Sequence, residues 1–214
     1  ILNSYIESSW KCIDGGSDIG KFMAKNIREH GGVIHRNTEV KRIVVEDGKV
    51  SYVETADGSK VHGKNFISNM HPVRTLDMTE SNLIKQAYKH RVKSLENSIG
   101  GFVVNIVFEK NTYPYIKNNF YYIKDGQEWN LTEYNDETWP SCYAVFCSAS
   151  SKSPDYAESM TLLAYMKFDE VKQWAGTFNT VSKEEDRGKD YEAFKKIKAE
   201  KLIDKKNRFV VYHK

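Results

Sequence analysis

The chain has 214 residues, of which 40% are apolar and 13% aromatic, and its 32 basic and 29 acidic side chains give a net charge of +3. Disordered chains are poor in aromatic residues, so this composition excludes wholesale disorder. No apolar run is long enough to span a bilayer. Basic and acidic side chains are interleaved even in the densest basic stretch, 195–206, which argues against a nucleic-acid partner.

The cysteines and the first residues indicate the cellular compartment in which we expect the protein. The three cysteines, Cys12, Cys142 and Cys147, are too few and too irregular for a disulfide framework. The spacing of the last two does not suit a zinc knuckle, so we predict core thiols and no metal. Residues 1–11 lack the features of a secretory signal. We therefore expect a cytoplasmic protein without a transmembrane segment.

The first predicted element is an amphipathic helix over 18–30. It follows the run Asp14-Gly15-Gly16-Ser17-Asp18, in which Ser17 or Asp18 is a suitable N-cap. Its apolar residues fall on one helical face, and Gly31-Gly32 provides the ending that glycine favours. The apolar face is formed by Ile19, Phe22, Met23 and Ile27.

Short strands follow this helix. We predict a strand at 33–35 and then a three-stranded antiparallel meander over 40–45, 50–55 and 60–68. The Asp47-Gly48 and Asp57-Gly58 pairs have the sequence of tight hairpin turns. Met70-His71-Pro72 interrupts the pattern, because proline restricts the residue before it.

Beyond Pro72 the pattern predicts a second mixed region. It contains a helix at 81–95, strands at 102–108, 119–124, 141–148 and 160–166, a short helix at 169–174 and a long charged helix at 183–205. The fold class predicted is therefore α/β plus α+β, with one domain at 1–72 and another at 73–214.

No complete catalytic motif occurs in the sequence. It has no Gly-x-Gly-x-x-Gly turn, no Gly-x-Ser-x-Gly elbow and no pair of histidines at helical ligand spacing. The catalytic residues therefore stay unknown. The remaining local signal is Gly15-Gly16-Ser17 at a helix start, where free N–H groups could meet an anion or a polarised ligand. A tight turn into a helix explains the same residues.

Residues 1–72 resemble the phytoene desaturase and retinol saturase-like branch of the FAD-dependent amine-oxidase-like superfamily. The residues that carry this resemblance are Leu2-Asn3-Ser4-Tyr5-Ile6, Trp10, Gly15-Gly16-Ser17, Gly31-Gly32-Val33-Ile34, Thr38-Glu39-Val40-Lys41-Arg42-Ile43, Asp57-Gly58 and Ser68-Asn69-Met70-His71-Pro72. The resemblance implies part of a glutathione-reductase-like FAD-binding domain at 1–72. It also implies part of a mixed-sheet substrate domain at 73–214.

The resemblance also implies roles for particular residues. The backbone of Val40 would pair with the FAD adenine, and Asn69 would close the meander beside the cofactor. Gly15 and Gly16 would face the flavin, while Ser17 and Asp18 would face the substrate. The implied chemistry is hydride transfer between FAD and a C–C bond of a carotenoid-like or retinol-like isoprenoid. NAD(P) as the electron donor or acceptor is left open, as is peripheral contact with a membrane.

The sequence departs from that family pattern in three ways. The Gly-x-Gly-x-x-Gly motif and the glycine-rich segment that closes over the flavin are both absent, and Asp14 stands where many relatives carry glycine. We therefore expect an inactive internal fragment that binds FAD weakly, because the pyrophosphate turn normally holds the cofactor's charge. A fragment would expose apolar surface, through which we expect it to form a homodimer.

A second function stays open beside the enzyme. The aromatic segment 113–122 and the apolar strands could line a cavity of a non-catalytic module that binds an apolar ligand or a protein partner. The same residues could equally form an ordinary core.

Overall fold

The computed structural model describes residues 12–126, 129–177 and 187–211, with side chains up to residue 207. Its helices are α1 (Ser17–Glu29), α2 (Pro72–Met78), α3 (Gln86–Lys93) and α4 (Lys189–Val211). Its strands are β1 (Val40–Glu46), β2 (Lys49–Thr55), β3 (Lys60–His62), β4 (Thr79–Glu80), β5 (Gly100–Val107), β6 (Phe120–Ile123), β7 (Cys142–Ser148) and β8 (Ser159–Met166). Two 3-10 turns, Phe168–Glu170 and Lys172–Trp174, follow β8.

Backbone contacts divide the chain into two compact units. Met23–Asn97 forms the meander unit, and Ile1–Phe22 together with Ser98–Lys214 forms the core unit. Pro72 therefore lies within the meander unit. The reason lies in β4, which pairs in parallel with β1 and so keeps residues beyond Pro72 in the sheet of the meander. The domains expected at 1–72 and 73–214 stay a prediction. Which part of the chain binds cofactor and which binds substrate stays a prediction.

The meander unit contains one sheet of four strands in the order β3-β2-β1-β4. The β1–β2 turn has positive φ at both Asp47 (48°) and Gly48 (79°), the combination that a type I′ hairpin requires. Glycine also ends α1, where Gly31 has a φ of +77° and the N–H of Gly32 bonds to the carbonyl of Ile27 at 2.8 Å.

Three expectations for this unit are wrong. Residues 33–35 do not form a strand, because none of the described strands pairs with them. β3 ends at His62 instead of residue 68. The helix expected at 81–95 covers only Gln86–Lys93, because the Ser81 hydroxyl accepts a bond from the N–H of Leu83 and holds a turn there. Helix α2 and strand β4 were not expected.

The core unit contains a second antiparallel sheet, in the order β5-β8-β7-β6. Its strands lie within two residues of the predicted bounds. Helix α4 covers one face of this sheet, and the hydrophobic core lies between them. The buried core residues are Trp139, Tyr143, Val145, Cys147, Ala157, Met160, Leu162, Ala164 and Leu202.

Three helix predictions remain. The short helix predicted at 169–174 is instead two 3-10 turns, Phe168–Glu170 and Lys172–Trp174. The predicted helix 183–205 corresponds to α4, which begins at Lys189, and residues 183–186 lie outside the described residues. Helix α1 has the predicted bounds to within one residue, but it buries no residue. Phe22, on its apolar face, is 71% exposed. Among the described residues, no helix is long and apolar enough to cross a bilayer.

Candidate functional site

The second sheet has an inner face against α4 and an outer face on the opposite side. Side chains alternate between the two faces along each strand. Tyr143, Val145 and Cys147 of β7 point to the buried core, so Cys142, Ala144, Phe146 and Ser148 lie on the outer face. By the same alternation, Ser159, Thr161, Leu163 and Tyr165 of β8 lie on the outer face.

An apolar cavity of about 190 Å³ lies at one end of the outer face. Tyr121 and Phe146 meet there edge to face, with their ring centroids 6.1 Å apart. The cavity is smaller than the roughly 300–1,000 Å³ of ordinary ligand pockets, so it can hold one segment of a long ligand. Its lining residues are Tyr121, Tyr122, Ile123, Leu131, Cys142, Tyr143, Ala144, Phe146, Leu163 and Tyr165.

Among the described residues, none of those that line the apolar cavity is an Asp, Glu, Lys, Arg or His. Burial raises the pKa of the Cys142 thiol, so this cysteine is not a reactive thiolate. Burial also raises the pKa of Tyr143 to about 12. The cavity therefore supplies an apolar surface and no general acid or base.

A second, polar cavity of about 490 Å³ lies at the other end of β7 and β8. It is bounded by the segment before α1 and by the loop that joins the two strands. Its lining residues are Cys12, Ile13, Asp14, Gly15, Ser148, Ala149, Ser150, Ser151, Lys152, Glu158 and Ser159.

Asp14 joins the two segments that border the polar cavity. One carboxylate oxygen accepts a bond of 2.8 Å from the backbone N–H of Ser151, and the other accepts a bond of 3.0 Å from its hydroxyl. These two bonds lower the pKa of Asp14. The paired carboxylate therefore holds the glycine turn before α1 against the loop after β7.

The structure places four of the predicted site residues beside this cavity or next to it in sequence. Gly15 lines the cavity and has a φ of +95°, which favours glycine. No atom lies within 4 Å of where a Cβ of Gly15 or Gly16 would stand, so the turn has open space around it. Ser17 begins α1. Asp18 forms an ion pair of 2.7 Å with Lys21.

The other two predicted site residues lie in the meander unit. Val40 is the first residue of β1 and pairs with Thr55 of β2. On the opposite edge of β1, β4 pairs only with Ile43 and Val44, so it does not cover Val40. Asn69 is exposed in the segment before α2. Among the described residues its side chain makes no hydrogen bond to Val40 or to any other group.

Two local features bear on FAD, each within its own unit. In the meander unit, β4 pairs with Ile43 and Val44 and leaves the same edge of β1 unpaired at Val40. In the core unit, the Gly15-Gly16 turn has open space around it at the start of a helix. No described cluster of three or more His, Cys, Asp or Glu side chains could hold a metal ion.

Sequence reasoning missed the outer face of the second sheet and the pairing of Asp14 with Ser151. The aromatic segment 113–122 turns out to be divided, because Tyr113, Tyr115 and Ile116 pack against the core while Tyr121 lines the apolar cavity. The sequence of β7 did contain a signal, because apolar residues occupy the positions of both faces of this strand. Such a strand is expected to have both faces covered, one of them by something other than α4.

Two curated proteins are similar to parts of the chain. Over 57 residues, 27% of the chain, it is 39% identical to a protein of Daucus carota named "Prolycopene isomerase, chloroplastic", of which the match covers 9%. Over 145 residues, 67% of the chain, it is 23% identical to the 4,4'-diapophytoene desaturase (4,4'-diapolycopene-forming) of Methylomonas sp, of which the match covers 28%. The match thus spans less than a third of either relative.

No family model matches the chain, and no solved structure matches it. The relatives are a carotenoid isomerase and a carotenoid desaturase by name, and their similarity is low and partial. At the level of the family, they are consistent with an enzyme of the polyene oxidoreductase class.

Proposed function

We propose that this chain is part of an FAD-dependent oxidoreductase that transfers a hydride to or from a C–C bond of a polyene or isoprenoid. The observation that carries the proposal is the apolar cavity on the outer face of the second sheet, lined by neutral residues. The similarity to a carotenoid desaturase and a carotenoid isomerase supports the same substrate class.

The chain's own part in this reaction is to bind, orient and exclude water. Burial of a hydrocarbon against residues such as Phe146 and Leu163 gains free energy in proportion to the apolar area covered, at about 25 cal/mol per Å². A neutral lining suits a substrate that has no charge to neutralise. FAD, when bound, would supply the hydride acceptor or donor. The proton that leaves or joins the neighbouring carbon in the same reaction would be exchanged with water or with a group outside the lining of the apolar cavity.

The proposed contacts with FAD are those that the family resemblance implies. Val40 would pair with the adenine through its backbone, and Asn69 would lie beside the cofactor. Gly15 and Gly16 would leave room for the flavin, with Ser17 and Asp18 towards the substrate. The part of the fold that holds FAD would then be a portion of a glutathione-reductase-like domain.

The test begins with an apolar probe. Diphenylhexatriene is a rod-shaped polyene that fluoresces when it leaves water, and it should bind to the 214-residue chain. Leu163→Asn places an amide in the apolar cavity and should weaken binding about tenfold, which corresponds to about 1.4 kcal/mol. The matched control is Val107→Asn, on the outer face but outside the cavity, which should leave the affinity unchanged.

FAD titration of the same chain tests the redox part of the proposal. We expect weak binding that quenches flavin fluorescence. Val40→Pro should abolish it, because proline removes the backbone donor yet is tolerated at the first residue of a strand. Val40→Ala, which keeps the backbone groups, should retain it. Equal FAD affinity for the folded fractions of both variants would remove Val40 from the cofactor site.

The alternative function is a non-catalytic module that binds an apolar ligand. The neutral lining of the apolar cavity favours it equally, because such a surface binds hydrocarbon whether or not a flavin is present. Binding of the probe together with no response to FAD at any concentration would support this alternative.

A further inference from the structure

We propose that the hydroxyls of Ser148 and Ser159 form a subsite for a neutral oxygen at one end of an elongated apolar ligand. The ligand class is thereby narrowed from polyenes and isoprenoids in general to those that carry a hydroxyl or carbonyl oxygen at one end. This inference rests on the proposed function, since it requires an apolar ligand in the cavity at the other end of the same face.

The polarity of the outer face changes step by step along β7 and β8. Residues of the two strands stand opposite each other in the pairs Ala144–Leu163, Phe146–Thr161 and Ser148–Ser159. The first pair is wholly apolar, the second is half polar and the third is wholly polar. The corresponding pairs on the inner face, Tyr143–Ala164, Val145–Leu162 and Cys147–Met160, all belong to the hydrophobic core or its edge.

The neighbouring strand β5 follows this change from apolar to polar residues at only one of its positions. Val103 stands opposite Leu163, and Asn105 stands opposite Thr161. The Thr161 hydroxyl donates a bond of 2.9 Å to the side-chain oxygen of Asn105, so this polar pair is satisfied internally. Val107, opposite Ser159, is apolar. The polar end of the face is therefore confined to β7 and β8.

Ser148 and Ser159 differ from the other serines that line the polar cavity. The Ser150 hydroxyl donates to Glu158, and the Ser151 hydroxyl donates to Asp14. Within the described part of the chain, the hydroxyls of Ser148 and Ser159 make no hydrogen bond. Side chains directly opposite each other on antiparallel strands have Cβ atoms about 4.5–5.5 Å apart, so both hydroxyls can reach a single ligand oxygen.

The charges around the polar cavity select a neutral ligand oxygen. Asp14 and Glu158 contribute two carboxylates to the lining, and Lys152 contributes one ammonium group. A ligand carboxylate or phosphate would face this excess of negative charge. A hydroxyl or carbonyl oxygen avoids the repulsion and can still accept from both serines.

The dimensions match an elongated ligand. Ser148, in the polar cavity, lies six positions after Cys142, in the apolar one, and a strand rises about 3.3 Å per residue. The two ends are therefore on the order of 20 Å apart. Phe146 and Leu163 lie between them on the same face.

Displacement of bound diphenylhexatriene from the 214-residue chain tests the subsite. Geranylgeraniol should displace the probe at about fivefold to tenfold lower concentration than the hydrocarbon of the same chain that lacks the hydroxyl, as expected for one well-formed hydrogen bond of about 1 kcal/mol. The double variant Ser148→Ala with Ser159→Ala should remove this preference without changing the affinity for the probe itself.

The control is Ser153→Ala, whose hydroxyl bonds to Asn111 and lies outside the cavity; it should keep the preference for the alcohol. Geranylgeranoic acid, the carboxylate analogue, should bind more weakly than the alcohol at pH 7. Equal displacement by alcohol and hydrocarbon, or a preference that survives the double variant, would overturn the subsite and leave the apolar site intact. Failure of the probe itself to bind would overturn the proposed function and the subsite together.

Discussion

The carboxylate of Asp14 accepts two hydrogen bonds from Ser151, a residue 137 positions further along the chain. Its neighbour Gly15 adopts a positive φ, so this turn has a conformation that few residues would adopt unaided. The two hydrogen bonds between Asp14 and Ser151 fix this turn to the loop after β7. The sequence shows an aspartate before two glycines, but nothing in it identifies the partner.

We predict that the pKa of Asp14 lies below its usual value and rises in Ser151→Ala. The variant loses the hydroxyl donor and keeps the backbone N–H, which has the larger effect, so the rise should be partial. Carboxyl carbon chemical shifts recorded across a pH titration measure this directly. Ser153→Ala is the matched control and should leave the titration of Asp14 unchanged. An identical pKa in Ser151→Ala would contradict the proposed pairing.

The same pairing has a defined effect on stability. A carboxyl whose pKa is lowered by folding stabilises the folded chain above its usual pKa, and this contribution is lost as the pH falls through the lowered value. The contribution of Asp14 should therefore be present at neutral pH and disappear in acid. In Asp14→Asn, the acid dependence that belongs to this residue should be absent.

At the scale of the element, docking of α4 on the second sheet depends on a buried cation. The ammonium group of Lys198 forms ion pairs with Glu170 and, at 3.3 Å, with Asp136. It also lies 4.5 Å from the ring centroid of Trp139. The hydroxyl of Tyr134 donates to Glu170 as well. The helix is thus attached to the sheet by charges in addition to apolar side chains such as Leu202.

We predict that Lys198→Ala lowers the free energy of unfolding by about 3–5 kcal/mol, because it leaves the half-buried Glu170 without its cation. Urea denaturation monitored by circular dichroism measures the change. Lys201→Ala, on the exposed side of the same helix, removes one bond to the carbonyl of Asp136 and should cost no more than about 0.5 kcal/mol. Equal losses in the two variants would show that the ion pair between Lys198 and Glu170 does not stabilise the helix.

The elements that were predictable from sequence are those whose signal is local. Asp-Gly pairs defined the hairpin turns of the meander, and Gly31 defined the end of α1. The segment 33–35 has the composition of a strand, but a strand also needs a partner, which sequence periodicity does not supply. The sequence of β7 indicates that both of its faces are covered, but it does not show which face meets α4, so its four outer positions could not be assigned.

At the scale of the whole molecule, the buried residues are unevenly distributed. Every member of the hydrophobic core cluster belongs to the core unit. In the described part of the meander unit, only Ile43 and Thr55 are buried. Since burial of apolar surface is the main source of folding free energy, the two units should differ in stability.

We therefore predict two separate levels of protection in native-state amide exchange. Amides of β1 and β2 should exchange faster than those of β7 and β8, because little buried apolar surface becomes exposed when the meander unit opens.

Leu202→Ala creates a cavity against the inner face of the second sheet and should lower the free energy of unfolding of the core unit by about 2–5 kcal/mol. Exchange in β7 and β8 should accelerate in this variant, while exchange in β1 and β2 should not change. Phe22→Ala, at an exposed position of α1, is the control and should alter neither sheet. A uniform acceleration across both sheets in Leu202→Ala would mean that the units unfold as one, and the difference in burial would then not govern their stability.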